Sequence, residues 1–106
     1  MPVTAIVILN YNGIDFLKKY LNTLIKNSDK YEIIVADNGS TDSSLDWLSK
    51  NHSEIRIIVL KENAGYANGY NLALKEVVAD YYALINSDVK TTPNWLDPLV
   101  LFLDEH

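Results

Sequence analysis

The chain has no cysteine, which excludes structural disulfides and thiolate metal sites and is compatible with a reducing compartment. It has no apolar run near the roughly 20 residues of a membrane span. No charged segment precedes its first apolar run, so no signal peptide is expected. Low-complexity tracts and short internal repeats are absent. Basic residues are few: 9 Lys and Arg stand against 14 Asp and Glu, a formal net charge of −5. That balance argues against duplex nucleic acid, whose phosphates call for a basic face. An acidic protein can still hold an anionic ligand when a divalent cation stands between them. What is present, in 106 residues that are 48% hydrophobic, is material for one small domain with a central sheet and helices over it.

Apolar runs alternate with helical patterns. Val3 to Leu9 is a mostly β-branched run that reads as a strand buried on both faces. Asn10-Tyr11-Asn12-Gly13 breaks it, and Leu17, Tyr20, Leu21, Leu24 and Ile25 then recur at helical spacing, with Lys18, Lys19 and Lys26 on the opposite, solvated face. Glu32 to Ala36 is a second strand and Ser43 to Lys50 a short helix, with Thr41 or Asp42 as cap and Ser43 and Asp46 as a capping-box variant. Ile55 to Leu60 is a third strand. Gly65 to Val78 is a helix with Tyr66, Tyr70, Ala73 and Val77 along one stripe, and Tyr81 to Ile85 is a fourth strand. Thr92-Pro93 signals the start of a last helix whose apolar side is Leu96, Leu99, Val100 and Leu103. Trp47 and Trp95 read as helix-to-sheet packing, and His52 and His106 as solvated. The β-α-β-α-β-α-β-α order with short links implies a three-layer α/β/α domain, Rossmann-like, with a mainly parallel sheet. No composition shift marks a second domain. The chain stops as its last helix finishes, so a longer protein, truncated here at its C-terminus, is expected.

Ligands of open α/β sheets bind just beyond the carboxyl ends of the strands. Two of those ends are acidic. Asn86-Ser87-Asp88 follows the fourth strand, and Asp88 could hold Mg²⁺ or Mn²⁺, which take oxygen ligands and leave positions open for phosphates; the same three residues also suit a plain turn. Asp37 follows the second strand, where a carboxylate can accept from a ribose hydroxyl or a base N–H, with Asn38, Gly39 and Ser40 leaving room for a ligand; a turn leading into a helix cap is the competing reading. Tyr11, after the first strand, could stack on a nucleobase or pack on Tyr66 or a helix. In Asn63 to Asn71, Gly65 would let backbone amides approach a phosphate at a helix start, Gly69 would let the helix lie close to the sheet, and Asn68 and Asn71 add hydrogen-bonding groups; a loop and a close-packed helix would use the same residues.

Four segments in order, 7–12, 35–42, 63–71 and 84–89, resemble those of family 2 glycosyltransferases, inverting enzymes with a GT-A fold, over essentially the whole chain. The resemblance implies a nucleotide-diphospho-sugar donor. Tyr11 would pack on the base and Asp37 would bind it. Asp88 would hold the divalent metal as the last residue of a D-x-D motif, and Asn10, Asn12, Gly65, Asn68, Asn71, Asn86 and Ser87 would complete the nucleotide site. Here the motif reads Asn-Ser-Asp, without its first acid, as in rhamnosyltransferase-like members, which points to dTDP-rhamnose beside a UDP-sugar as donor. The family's general base lies beyond the segment matched, so no catalytic residue is expected before His106. The implied acceptor is a glycan or lipid-linked hydroxyl in polysaccharide or cell-surface glycan synthesis. The implied place is the cytoplasm, or the cytoplasmic face of the membrane. Two other classes fit less well. A dinucleotide-binding oxidoreductase needs G-x-G-x-x-G after the first strand, where Asn10-Tyr11-Asn12-Gly13 stands. A phospho-acceptor receiver needs an acidic pair after the first strand and an aspartate after the third, where Asn10 and Lys61-Glu62 stand. A non-catalytic nucleotide-binding or structural module is the remaining alternative.

Overall fold

A computed structural model describes residues 3–105; His106 lies outside them. Four strands, β1 (Thr4–Asn10), β2 (Glu32–Asp37), β3 (Arg56–Val59) and β4 (Tyr81–Asn86), form one parallel sheet in the order β3-β2-β1-β4. A helical rod follows β1: α1 (Ile14–Phe16), a π-helical stretch Leu17–Leu21 and α2 (Asn22–Asn27). Helix α3 (Ser44–Asn51) follows β2, α4 (Tyr66–Leu74) follows β3 and α5 (Asp97–Glu105) follows β4.

The alternation of β1 builds both layers. Ile6 and Ile8 face Leu17, Leu21, Leu24, Val35, Leu48, Ile55 and Leu96, while Ala5, Val7 and Leu9 face Ile34, Ala36, Ile58, Ala73 and Val77. Each large side chain buried this way contributes about 1.5–3 kcal/mol. The rod, α3 and the start of α5 cover one face and α4 covers the other, so the expected three-layer parallel architecture is present. Among the described residues no helix is long and apolar enough to cross a membrane.

Several expectations need correction. Three strands run one residue further than their apolar runs: Asn10 pairs with Asp37, and Leu9 with Asn86, inside the sheet. Backbone ladders do not require apolar side chains, so the polar residue simply continues the strand. Helix α4 ends at Leu74, not Val78; its last turn tightens, with Val77 N–H on the Leu74 carbonyl, and the Arg56 guanidinium takes the freed Glu76 carbonyl. Thr92-Pro93 opens a turn, not a helix. Asn94 takes φ 57, outside the helical region, and α5 starts at Asp97 with Pro98 in its first turn. Leu96, just before α5, and Val100 on it pack inward, while Leu99 and Leu103 are exposed. The α3 cap is Ser43, which makes no side-chain capping bond. Asp42 instead accepts the Ser44 N–H at 2.9 Å and, through its other oxygen, the Ile14 N–H at 3.1 Å. His52 is not solvated: its side chain is 13% exposed, tilted against Trp47 at 5.1 Å and 3.4 Å from Glu54. Both tryptophans pack as expected, and Trp95 Nε1 donates to Ser28 Oγ at 2.7 Å.

Candidate functional site

The strand order reverses at β1: β2 and β3 lie on one side of it and β4 on the other. The carboxyl ends of β1 and β4, paired through Leu9 and Asn86, therefore meet at the position where α/β sheets bind ligands. A cleft of about 300 Å³ opens there, lined by Leu9, Tyr11, Asn12, Gly13, Phe16, Asn38, Asn63, Gly65, Tyr66, Asn86, Ser87 and Asp88. Six of the ten residues expected in the site line it: Tyr11, Asn12, Gly65, Asn86, Ser87 and Asp88.

Tyr11 is about half exposed, so its ring is free to take a flat ligand. Asn12 adopts φ 50 and ties two loops together: its N–H donates to Ser40 Oγ at 2.9 Å, and its side-chain oxygen accepts from the Thr41 and Asp42 amides at 2.7 and 3.1 Å. Gly65, with φ 78, precedes the first turn of α4, where amides lack intrahelical acceptors, and nothing stands within 4 Å of the place its side chain would occupy. Asn86 accepts from the Tyr70 hydroxyl at 3.3 Å, and that hydroxyl also donates to the Ile85 carbonyl at 2.7 Å; burial pushes the Tyr70 phenol up. Asp88 is exposed and is the cleft's one carboxylate among the described residues.

The other four stand elsewhere. Asp37 is fully buried and does not line the cleft. One of its oxygens accepts the Ser40 N–H at 2.9 Å, the other the Ser40 hydroxyl at 2.7 Å and Asn10 Nδ2 at 3.1 Å. Asn10 is fully buried behind the same wall. Asn68 lines a separate depression with Val59, Leu60 and Lys61, and Asn71 is exposed one turn further along α4. Gly39 does not make room for a ligand. With φ 79 it makes room for the chain itself, because a side chain there would meet Asn63 N and Glu62 C at 2.6 Å. Gly69 fulfils its expected part: its missing side chain brings α4 down onto Leu9 and Asn38.

Asn38, expected only to leave room for a ligand, instead holds a loop. It is buried at the end of β2, donates through Nδ2 to Asn63 Oδ1 and the Gly65 carbonyl, both at 3.2 Å, and accepts the Ala64 N–H at 2.9 Å. It thus fixes the loop that presents Gly65. Its signal was an asparagine directly after an acidic strand end, facing another asparagine in Asn63 to Asn71. Phe16, which no sequence motif singles out, joins Tyr11 and Tyr66 in giving the cleft three aromatic rings.

Could these residues hold a divalent cation? Asp88, Asn86 and Ser87 offer only oxygen donors along one wall, which fits Mg²⁺ or Mn²⁺. Among the described residues no three His, Cys, Asp or Glu gather in one place. Such a cation would therefore need ligand phosphates and water to fill its shell.

Known proteins match this arrangement. An uncharacterized glycosyltransferase of Haemophilus influenzae is 29% identical over 99% of this chain and 34% of its own length. The putative teichuronic acid biosynthesis glycosyltransferase TuaG of Bacillus subtilis is 29% identical over 98% of this chain and 43% of its own. The solved structure of Staphylococcus aureus TarS 1-349 in complex with UDP-GlcNAc superposes with a TM-score of 0.80 at 26% identity, covering 98% of this chain and 32% of that one. This chain spans about a third to two fifths of the length of these proteins, and its parallel α/β architecture matches the GT-A fold of TarS. The family model described as glycosyl transferase family 2 matches residues 5–106. The chain belongs to glycosyl transferase family 2.

Proposed function

We propose that this chain is the donor-binding portion of an inverting glycosyltransferase that moves a sugar from a nucleotide diphosphate to an acceptor hydroxyl in the synthesis of a cell-surface polysaccharide. One observation carries the reading: a cleft at the topological switch of the sheet brings an exposed ring, a helix N-terminus and a lone carboxylate within reach of one small ligand. In it Tyr11 takes the base and the first turn of α4 faces the phosphates. Asp88, flanked by Asn86 and Ser87, would hold a divalent cation, which would supply charge neutralisation for the leaving diphosphate. Asp37 and Asn38 act from behind by holding the loops. No base stands in the cleft besides Asp88, which is committed to the cation, so the acceptor hydroxyl is activated from outside residues 3–105. The TarS complex with UDP-GlcNAc and the wall-polymer relatives favour a UDP-sugar and a wall polymer acceptor. The Asn86-Ser87-Asp88 sequence favours a dTDP-deoxysugar such as dTDP-rhamnose, and competition between UDP and dTDP separates the two. The reading places the domain in the cytoplasm, where nucleotide sugars are made.

The test is calorimetric titration of the full-length protein with UDP and dTDP, with Mn²⁺ and with EDTA. Mn²⁺ is expected to tighten binding about tenfold or more, and Asp88→Asn to abolish that gain. Without the cation, Asp88 and a phosphate about 4 Å apart would repel by about 4 kcal/mol at an effective dielectric near 20. Asp88→Asn should therefore bind nucleotide more tightly than the unaltered protein in EDTA and more weakly in Mn²⁺. If neither nucleotide binds with Mn²⁺ and Asp88→Asn changes nothing, the proposal fails.

A further inference from the structure

The rod after β1 is π-helical over Leu17–Leu21, and Leu17 and Leu21, four residues apart, are both buried in the core. Phe16 and Tyr20 stand one residue before each of them and so share one flank of the rod. Their rings lie 6.4 Å apart and 11° from parallel. Tyr20 is part-buried, with the Lys19 ammonium 5.3 Å over its ring. Phe16 is 46% exposed. Turns of π-helix are rare and are frequent at functional sites; this one sets an open ring in a fixed orientation. Phe16 lines the cleft with Asn86, Ser87 and Asp88, and Tyr20 borders an adjoining depression that shares Asn86 and Ser87. A side chain on Gly13, three residues before Phe16, would meet Ser87 Oγ at 2.5 Å, so the rod starts directly beside the loop after β4. The rod and α4 cover opposite faces of the sheet, which puts Phe16 across the sheet from the helix that faces the phosphates. A ligand group that fits an aromatic face beside an amide and a hydroxyl must be apolar on one side and polar at its edge. A pyranose has both: its C–H bonds form a face of positive partial charge, complementary to the negative face of the ring, and its hydroxyls stand around the rim. A diphosphate has no such face.

We infer that Phe16 is the ring on which the transferred sugar stacks, that Tyr20 holds this ring in place, and that Asn86 and Ser87 meet the sugar's hydroxyls. Asn86 Oδ1 already accepts from the Tyr70 hydroxyl at 3.3 Å, so its NH₂ is the group that reaches a sugar oxygen. The base then lies on Tyr11, the diphosphate between the first turn of α4 and Asp88, and the sugar on Phe16. The inference rests on the donor-site reading above and adds to it the side chain that takes the sugar. An aliphatic side chain of similar size offers contact area without a negative face, which makes Phe16→Leu the discriminating change.

The experiment is calorimetric titration of the full-length protein with Mg²⁺, setting UDP against UDP-GlcNAc and UDP-glucose, and dTDP against dTDP-rhamnose. Phe16→Ala should weaken at least one nucleotide sugar by about two- to tenfold, the worth of one ring contact, while the free nucleotides stay within about twofold. Tyr20→Ala should follow the same pattern more weakly. Phe16→Trp should keep the affinity, and Phe16→Leu, which preserves bulk should Phe16→Ala not fold, should lose it. Saturation-transfer NMR on the same nucleotide sugar should show its pyranose C–H protons enhanced and shifted upfield by the ring, and Phe16→Leu should remove the shift. Equal weakening of a nucleotide and its sugar conjugate means that the ring takes the base or the phosphates. No weakening of any nucleotide sugar means that it takes nothing. Full affinity in Phe16→Leu means that the ring's π face plays no part. Each of these overturns the inference while leaving the donor site standing. Absence of any nucleotide binding by the unaltered protein overturns both.

Discussion

Replacing Asp37 by alanine separates two roles for that carboxylate. The resemblance to relatives assigns it to the base, yet it is wholly buried and its oxygens are engaged by the Ser40 amide, the Ser40 hydroxyl and Asn10 Nδ2. Removing it leaves the part-buried Ser40 N–H without its acceptor, at about 1 kcal/mol, and loses charge-assisted bonds worth about 1.5–3 kcal/mol each. Release of a buried charge offsets part of this, because carboxylates are costly to desolvate. The Ser40 hydroxyl can also turn to another acceptor. The net expectation is about 3 kcal/mol. In a domain of this size that lowers Tm by roughly 12–24 °C, at about 4–8 °C per kcal/mol. Asp37→Asn keeps one oxygen for the Ser40 hydroxyl and Asn10 but turns an NH₂ on the Ser40 N–H, so it should fall between. The assay is thermal unfolding by circular dichroism beside nucleotide titration at a temperature where each variant is folded. If Asp37→Ala unfolds within 2–3 °C of the unaltered protein while losing nucleotide affinity, the structural argument is wrong and the carboxylate touches the base directly.

Two further outcomes are expected. Gly39→Ala combines a φ of 79 with a methyl 2.6 Å from the Glu62–Asn63 backbone and should cost about 2–4 kcal/mol in denaturant unfolding, whereas Gly65→Ala, with φ 78 and open space around it, should cost about 1 kcal/mol; equal costs would show that the contact plays no part. Burial, and then the hydrogen bond to Asp97, push the Tyr31 phenol from 10.0 up to about 12. The folded state thus holds that proton more tightly than the unfolded one. Its share of stability is complete below pH 10 and lost as pH rises through about 12, so alkaline absorbance titration should show a late tyrosinate phase that Tyr31→Phe removes.

The layers and the element order were legible because β1 is apolar from Ala5 to Leu9 and the helices carry clear periodicity. The strand order was not. Nothing local in Tyr81 to Asn86 says that β4 pairs with β1 rather than extending the sheet beyond β3, and that choice places the cleft between Tyr11 and Asp88. The limits of the strands were misjudged for one reason: Asn10, Asp37 and Asn86 look like the first residues outside the sheet, yet all three lie in it. Asn68 and Asn71 were grouped with Gly65 by proximity in sequence, but a helix turns neighbours away from each other, and only its first residues reach the cleft. The start of α5 was misplaced because Thr92-Pro93 suits a turn as well as a cap, and the left-handed Asn94 decides for the turn.

The two acidic strand ends differ because of where their strands lie, not because of their local sequence. Asp37 ends an interior strand, with β1 and β3 on either side and the turn to Ser40 folded over it. A carboxylate there is closed in on all sides and must be used by the chain. Asp88 stands two residues past the end of β4, an edge strand beside the switch point, where no neighbouring strand closes over it. It has no side-chain hydrogen bond among the described residues, and the cleft it enters contains no lysine, arginine or histidine to pair with it. A lone exposed carboxylate in a cleft without cations is a poor partner for a diphosphate and a good one for a divalent ion. That asymmetry makes Asp88 the residue whose effect on nucleotide binding must change sign with the metal, while Asp37 must register first in stability.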